Sequence, residues 1–171
     1  MKPRVDRVVL RPGEGGSVDL GGMGVEFKIR GEQTGGLLAV VEHPIEPGRL
    51  VPPHIHERED EYSYVLEGEV GARIGDEEVL AGPGSYLFKP RGVPHTFWNP
   101  GRTTARVLEI IVPAGFEHFF DELAGVIAAG LPPDEIERRR KEIGGRYGQT
   151  LLLEWVPDLV RRYGLKLLGD A

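Results

Sequence analysis

The chain has 171 residues, 40% of them hydrophobic, which suits one domain with a real core. Its 21 basic and 27 acidic residues leave a net charge of −6, which argues against a nucleic-acid or anionic-membrane partner, since both need a basic surface. There is no cysteine, no apolar run long enough to span a membrane, and no signal-peptide core in MKPRVDRVVLRPGEGG. The expectation is a cytoplasmic protein, in which any metal must be held by His, Asp or Glu.

Up to about residue 115, glycine and proline punctuate short runs rich in Val, Ile, Leu and aromatics. These are Val25–Ile29, Leu37–Val41, Tyr62–Leu66, Gly71–Ile74, Ser85–Phe88, His95–Trp98 and Ala105–Val112. Short runs with turn residues between them predict an all-β sandwich or barrel. In GARIGDEEVLAG, Gly75-Asp76 sits between two such runs and predicts a tight two-residue hairpin.

After Pro113 the period changes. Apolar residues at 116, 119, 120, 123, 126 and 127 predict a helix that ends at Gly130, Pro132 and Pro133. PPDEIERRRKEIGG has acids first and bases later, as a helix dipole favours, and Gly144-Gly145 is expected to close it. A short helix is expected from about Pro157 to Tyr163, preceded by a helix or a strand. The predicted organisation is a β domain over 1–115 and a helical extension over 116–171 packed on it.

Two of the five histidines, His54 and His56, lie one residue apart at the head of a strand-like run, so alternation puts both on one face. Glu61 opens the next run, and His95 opens HTFW. Imidazole nitrogens with one hard oxygen suit a first-row divalent metal, and a closed tetrahedral zinc site fits the same set. From the residues alone, Asp60 or Glu57 could take the carboxylate position. His43 and His118 read as non-ligands. Trp155 and the apolar face of Phe116–Ile127 read as packing or dimer surface.

The frame around these residues resembles the cupin superfamily. Its first motif is matched by Gly48, RLVPP, His54-Ile-His56, ERED, Glu61, YSYVLE and Gly68. Its second is matched by Gly84, SYLFK, Pro90-Arg91-Gly92, VP, His95, TFW and Asn99. The wider texture is similar to single-domain bacterial cupins of the quercetin 2,3-dioxygenase-like group. The resemblance implies a double-stranded β-helix, the cupin jelly-roll barrel, with a helix after it. It implies one divalent transition metal per chain (Fe, Mn, Ni, Co, Cu or Zn) held by His54, His56, Glu61 and His95. It settles the carboxylate ligand on Glu61, and it implies that Glu61 also serves as catalytic base.

The activity so implied is that of a metal-dependent dioxygenase-like enzyme acting on a small enol, phenol or keto acid. The alternatives are a non-redox metal-dependent isomerase and a small-molecule binder without catalysis. Alternation assigns Phe97 to the face of His95, and Ser63 and Val65 to the face of Glu61, as pocket walls. Phe88, Leu108 and Ile110 are added as pocket neighbours, and each of the six also reads as ordinary barrel core. The apolar row of Tyr62, Tyr64 and Leu66 on the opposite face needs cover, and a homodimer is the expected assembly.

Overall fold

The computed structural model describes residues 9–170. The elements run β1 (Gly16–Asp19), β2 (Gly24–Ile29), α1 (Gly31–Thr34), β3 (Ala39–Ile45), β4 (Arg49–Leu50), β5 (His54–His56), β6 (Asp60–Glu67), β7 (Val70–Ile74), β8 (Glu77–Ala81) and β9 (Tyr86–Lys89). They continue with β10 (His95–Trp98), β11 (Ala105–Val112), α2 (Glu117–Ala128), α3 (Pro133–Arg146), β12 (Gln149–Leu151), α4 (Val156–Tyr163) and β13 (Lys166–Leu167).

The strands form two facing sheets. One has the order β1-β2-β3-β11-β6-β9. The other has the order β12-β5-β10-β4-β13, with β7 also paired to β10 and β8 to β7. Every long strand obeys a period of two, because one face meets the interior and the other meets solvent. In β11, Ala105, Val107, Glu109 and Ile111 are buried while their neighbours are half-buried. The main core lies between the sheets and includes Val25, Val41, Val65, Val107 and Ile111, and α2 extends it with Phe116, Phe119, Phe120 and Leu123. The fold is the expected jelly-roll barrel with helices behind it.

The Gly75-Asp76 hairpin joins β7 to β8 as expected, with Gly75 at φ 58°. Gly68, Gly84 and Gly92 all take positive φ, which explains glycine at these strand ends.

One expectation for the tail needs correction. Gly144 and Gly145 do not end α3, which runs to Arg146 and is closed by Gly148 at φ 70°. A Cβ on Gly144 would lie 3.2 Å from Gln149 Oε1 and 3.4 Å from the Gln149 carbonyl, so a glycine there lets β12 approach. The tail also contributes strands, and β12 is the strand alternative expected before Pro157. β12 adds to the edge of β5, opposing Gln149 to His56 and Leu151 to His54, and β13 pairs parallel with β4. The last third of the chain is therefore woven into the sheet that carries the two histidines. No helix among the described residues is long and apolar enough to cross a membrane.

Candidate metal centre

Strand pairing brings the four residues together. β10 lies beside β5 with His95 directly opposite His54, and both point inward. Glu61, on the inward face of β6 in the other sheet, reaches across to them. One ligand atom from each of His54, His56, Glu61 and His95 lies within 4.8 Å of all the others, and all four residues are buried.

The hydrogen bonds fix which ring nitrogens face the centre. His54 Nδ1 is 2.7 Å from the Pro52 carbonyl, and His95 Nδ1 is 3.0 Å from the Val93 carbonyl. A carbonyl only accepts, so each Nδ1 carries the proton and each Nε2 carries a lone pair. Burial holds both rings below the usual imidazole range, and neighbouring positive charge adds to it, so they are neutral. His54 Nε2 is 3.1 Å from His56 Nε2. Glu61 Oε1 is 3.2 Å from His56 Nε2, and Glu61 Oε2 is 3.4 Å from His95 Nε2. His95 Nε2 is buried without a hydrogen-bond partner. Buried acceptors converging on one another are costly unless a cation lies between them. The residues present therefore fit a divalent metal: two lone-pair imidazoles, a third ring facing them, and a carboxylate.

Behind Glu61 stands a charged network inside the barrel. Pairing of β6 with β9 sets Glu61 opposite Lys89, and pairing with β11 sets Ser63 opposite Glu109. Lys89 Nζ is 3.0 Å from Glu61 Oε2 and 2.7 Å from Glu109 Oε1, close enough for ion pairing but without hydrogen-bond alignment. The Ser63 hydroxyl donates to Glu109 at 3.2 Å. Burial alone would raise the Glu61 carboxyl. The Lys89 ammonium and the His56 imidazole outweigh it and hold the group well below the ordinary carboxylate range. Glu109 is pushed up to about 7 by burial, against the pull of the same ammonium.

The cluster forms one wall of a cavity of about 50 Å³. His54, His56 and Glu61 line it together with His43, Phe97, Phe116, Phe120 and Arg140, so most of its surface is apolar. Its volume exceeds the roughly 10–15 Å³ that a single water needs. α2 closes it, with the Phe116 ring edge-on to His56 at 4.2 Å between centroids.

Residues 42–111 match the cupin domain family. That segment, which holds all four residues of the cluster, is a cupin domain. It is 38% identical over 80 residues to the tetracenomycin polyketide synthase protein TcmJ of Streptomyces glaucescens, covering 47% of this chain and 52% of that protein. It is 27% identical over 132 residues to quercetin 2,3-dioxygenase of Bacillus subtilis, covering 77% of this chain and 39% of that enzyme. The chain thus spans about half, or less, of these curated relatives. Among solved structures, an RmlC-like cupin from Shewanella frigidimarina superposes with a TM-score of 0.57 at 20% identity, over 69% of this chain and 99% of that one. At that identity the likeness shows the fold.

Within the cupin barrel the six expected pocket residues divide. Phe97 lines the cavity. Ser63 and Val65 face inward from β6 but stand behind the cavity wall, Ser63 in the Lys89–Glu109 network and Val65 in the core. Phe88, Leu108 and Ile110 are corrected: all three face outward. Phe88 is 51% exposed and stacks on Tyr62 at 4.9 Å. Leu108 and Ile110 occupy the half-buried outer face of β11, opposite Tyr64 and Tyr62. The inward positions of β9 and β11 go instead to Lys89 and Glu109, whose charges compensate each other.

Several buried residues in or beside the cavity escaped the sequence reading. His43, set aside as a non-ligand, lies in the cavity wall, bonded through Nδ1 to the Gly24 carbonyl at 3.1 Å. Glu59 is buried, with Oε2 3.7 Å from His56 Nδ1, and burial raises its carboxyl above the usual range. Arg140 had a visible signal: on α3 it shares a stripe with Ile136, Ile143 and Gly144.

Proposed function

We propose that this cupin is a metal-dependent, dioxygenase-like enzyme that acts on a small enol, phenol or keto acid. His54, His56, His95 and Glu61 would hold one divalent transition metal. Such an ion supplies a Lewis acid and, when redox-active, a centre for dioxygen chemistry. The observation that carries the reading is the Glu61 carboxylate, buried at the wall of an apolar cavity and held ionised by Lys89. An ionised carboxylate there can accept a proton from substrate, but the surrounding positive charge makes it a weak base. It therefore suits an acidic enol or phenol rather than a simple alcohol. The aromatic wall of Phe97, Phe116 and Phe120 suits a planar, apolar body and excludes bulk water. The names of two relatives, a quercetin dioxygenase and a polyketide synthase protein, support the same chemical neighbourhood.

The test combines elemental analysis of protein purified without added metal with oxygen-electrode assays on enols, phenols and keto acids. The expected result is one metal per chain and substrate-dependent oxygen uptake. Glu61→Gln is expected to keep its metal and lose most turnover. Near-normal turnover in metal-loaded Glu61→Gln would remove the base role, and a metal-loaded protein that never consumes oxygen with any of these substrates would overturn the reading.

The same proposal includes a homodimer. Tyr62 with Phe88 and Tyr64 with Tyr86 form an exposed aromatic row on β6 and β9, an edge strand. Light scattering should give twice the 18.9 kDa chain mass, and the monomer mass at high micromolar concentration would refute it.

A further inference from the structure

α3 carries three consecutive arginines, Arg138, Arg139 and Arg140, and they meet different fates. Arg138 and Arg139 point to solvent and both pair with Glu135, at 2.7 and 2.8 Å. Arg140 faces inward. It is 8% exposed and lines the same cavity as His54, His56 and Glu61.

The guanidinium is poorly matched where it sits. Its Nε is buried and has no hydrogen-bond partner. Its Nη2 reaches the Leu168 carbonyl only at 3.4 Å. The nearest carboxylate atom, Glu137 Oε2, is 3.7 Å from Nη1, beyond hydrogen-bond range, on a side chain that is 49% exposed. Asp170 contributes attraction without contact. Five N–H donors in a planar fork are thus served by one long hydrogen bond. A buried cation left in that condition costs several kcal/mol, so it needs either a partner or a use.

The remaining walls do not provide the partner. Apart from the metal-centre residues, Arg140 and His43, they are mainly Leu20, Met23, Val51, Phe97, Phe120 and Leu168, and the two further polar lining residues, Glu109 and Gln149, make no hydrogen bond to Arg140. Of the two carboxylates that line the cavity, Glu61 is already engaged by Lys89 and the imidazoles, and Glu109 by Lys89 and Ser63. Lys89 and Arg140 bring two positive charges to the barrel interior, and a bound divalent metal would add two more. Glu61, Glu109 and Glu59 supply at most three compensating negative charges, and none of them contacts Arg140. The balance calls for an anion.

We infer that Arg140 anchors the carboxylate of a small organic acid, so that the cavity binds a molecule with an anionic end on Arg140 and an apolar body against the phenylalanines. The planar fork matches a carboxylate in two parallel hydrogen bonds, which an ammonium cannot reproduce. This narrows the substrate class proposed above from enols, phenols and keto acids to those bearing a carboxylate, and it rests on the reading that this cavity is the substrate site.

The test uses matched acid and amide pairs, which differ in charge but hardly in shape: propionate against propionamide, and benzoate against benzamide. Calorimetry on metal-free protein reads Arg140 alone, since no ion competes for the carboxylate. Wild-type protein is expected to bind the acid at least about tenfold more tightly than the amide in one or both pairs. Arg140→Gln and Arg140→Met should abolish that preference while leaving metal stoichiometry unchanged. Arg140→Lys should keep the sign of the preference at reduced size. The His54→Ala/His56→Ala protein, which loses the metal, should retain the sign of the preference. A wild-type protein with no preference in either pair overturns the inference, as does a preference that survives in Arg140→Gln. Neither result bears on metal content or oxygen uptake, so the anchor and the proposed activity stand or fall separately.

Discussion

Among the described residues, two clusters bring three or more metal-capable side chains within 4.8 Å, and they differ in everything else. His54, His56, Glu61 and His95 are buried, two of their ring protons are committed to carbonyls, and their remaining lone pairs face one another. In the second cluster, Glu32 and His118 are exposed, at 63% and 42% of their side-chain surface. Its only buried member, Glu117, is already occupied: Oε1 accepts from the Gly31 N–H at 2.8 Å and Oε2 from the Gly115 N–H at 2.6 Å. Its carboxylate ties α1 and the loop before α2 together. Proximity of donors is common to both clusters. Unsatisfied, dehydrated lone pairs belong to one.

The sharpest contrast is in metal content. His54→Ala/His56→Ala is expected to lose stoichiometric metal entirely, whereas Glu32→Gln/His118→Gln keeps all of it. Elemental analysis of both proteins decides, and full metal in the first variant, or loss in the second, would reverse the comparison.

The next effect is on stability. Lys89→Met leaves Glu61 and Glu109 buried without their cation, and breaking such a pair costs about 3–5 kcal/mol. Denaturant unfolding of the metal-free protein should show it. Lys89→Met/Glu109→Leu, which removes both ends of the Lys89–Glu109 pair, should recover part of the loss.

A third test uses His43, a buried imidazole outside both clusters. Burial pushes it down to about 4, so the folded protein resists protonating a ring that the unfolded chain protonates near its ordinary value of 6.5. Its contribution to stability is present above pH 6.5 and is lost as pH falls toward 4, amounting to about 3 kcal/mol over that window. His43→Gln should flatten the pH dependence of unfolding between those values, and an unchanged slope would mean that His43 stays accessible to protons.

The smallest effect falls on the second cluster. Glu117→Gln sets an amide N–H against a backbone donor and should cost about 2 kcal/mol without touching metal content. A variant as stable as wild type would deny the carboxylate its structural role.

How far the sequence reaches depends on whether a residue's role is local. The His-x-His pair, the strand that starts at His95 and the Gly75-Asp76 turn follow from period two and turn chemistry within a few residues. The motif spacing then picked Glu61 from an acidic run in which Arg91 engages Asp60 instead, through its backbone N–H and guanidinium. Phe88 and Lys89 show where local reasoning fails. Alternation correctly puts them on opposite faces, but the rule that apolar means inside sends Phe88 inward. Lys89 goes inward because Glu61 and Glu109 wait there from two other strands, 28 and 20 residues away by number. Leu108, Ile110 and Glu109 repeat the error on β11.

The sequence alone determined the barrel class, the helices of the tail and the four residues that meet in the buried cluster, because strand period, helix period and motif spacing can be read along the chain. Only the tertiary structure decided that β12 and β13 are strands, since two or three residues show no period and gain their hydrogen bonds from the edges of β5 and β4. Only it decided which of three adjacent arginines is buried, because α3 must first dock on α2 and β12 before one of its faces becomes the inside. The cost of a buried charge is set by what surrounds it in space, and the elements that surround Lys89, Glu109 and Arg140 come from distant parts of the chain.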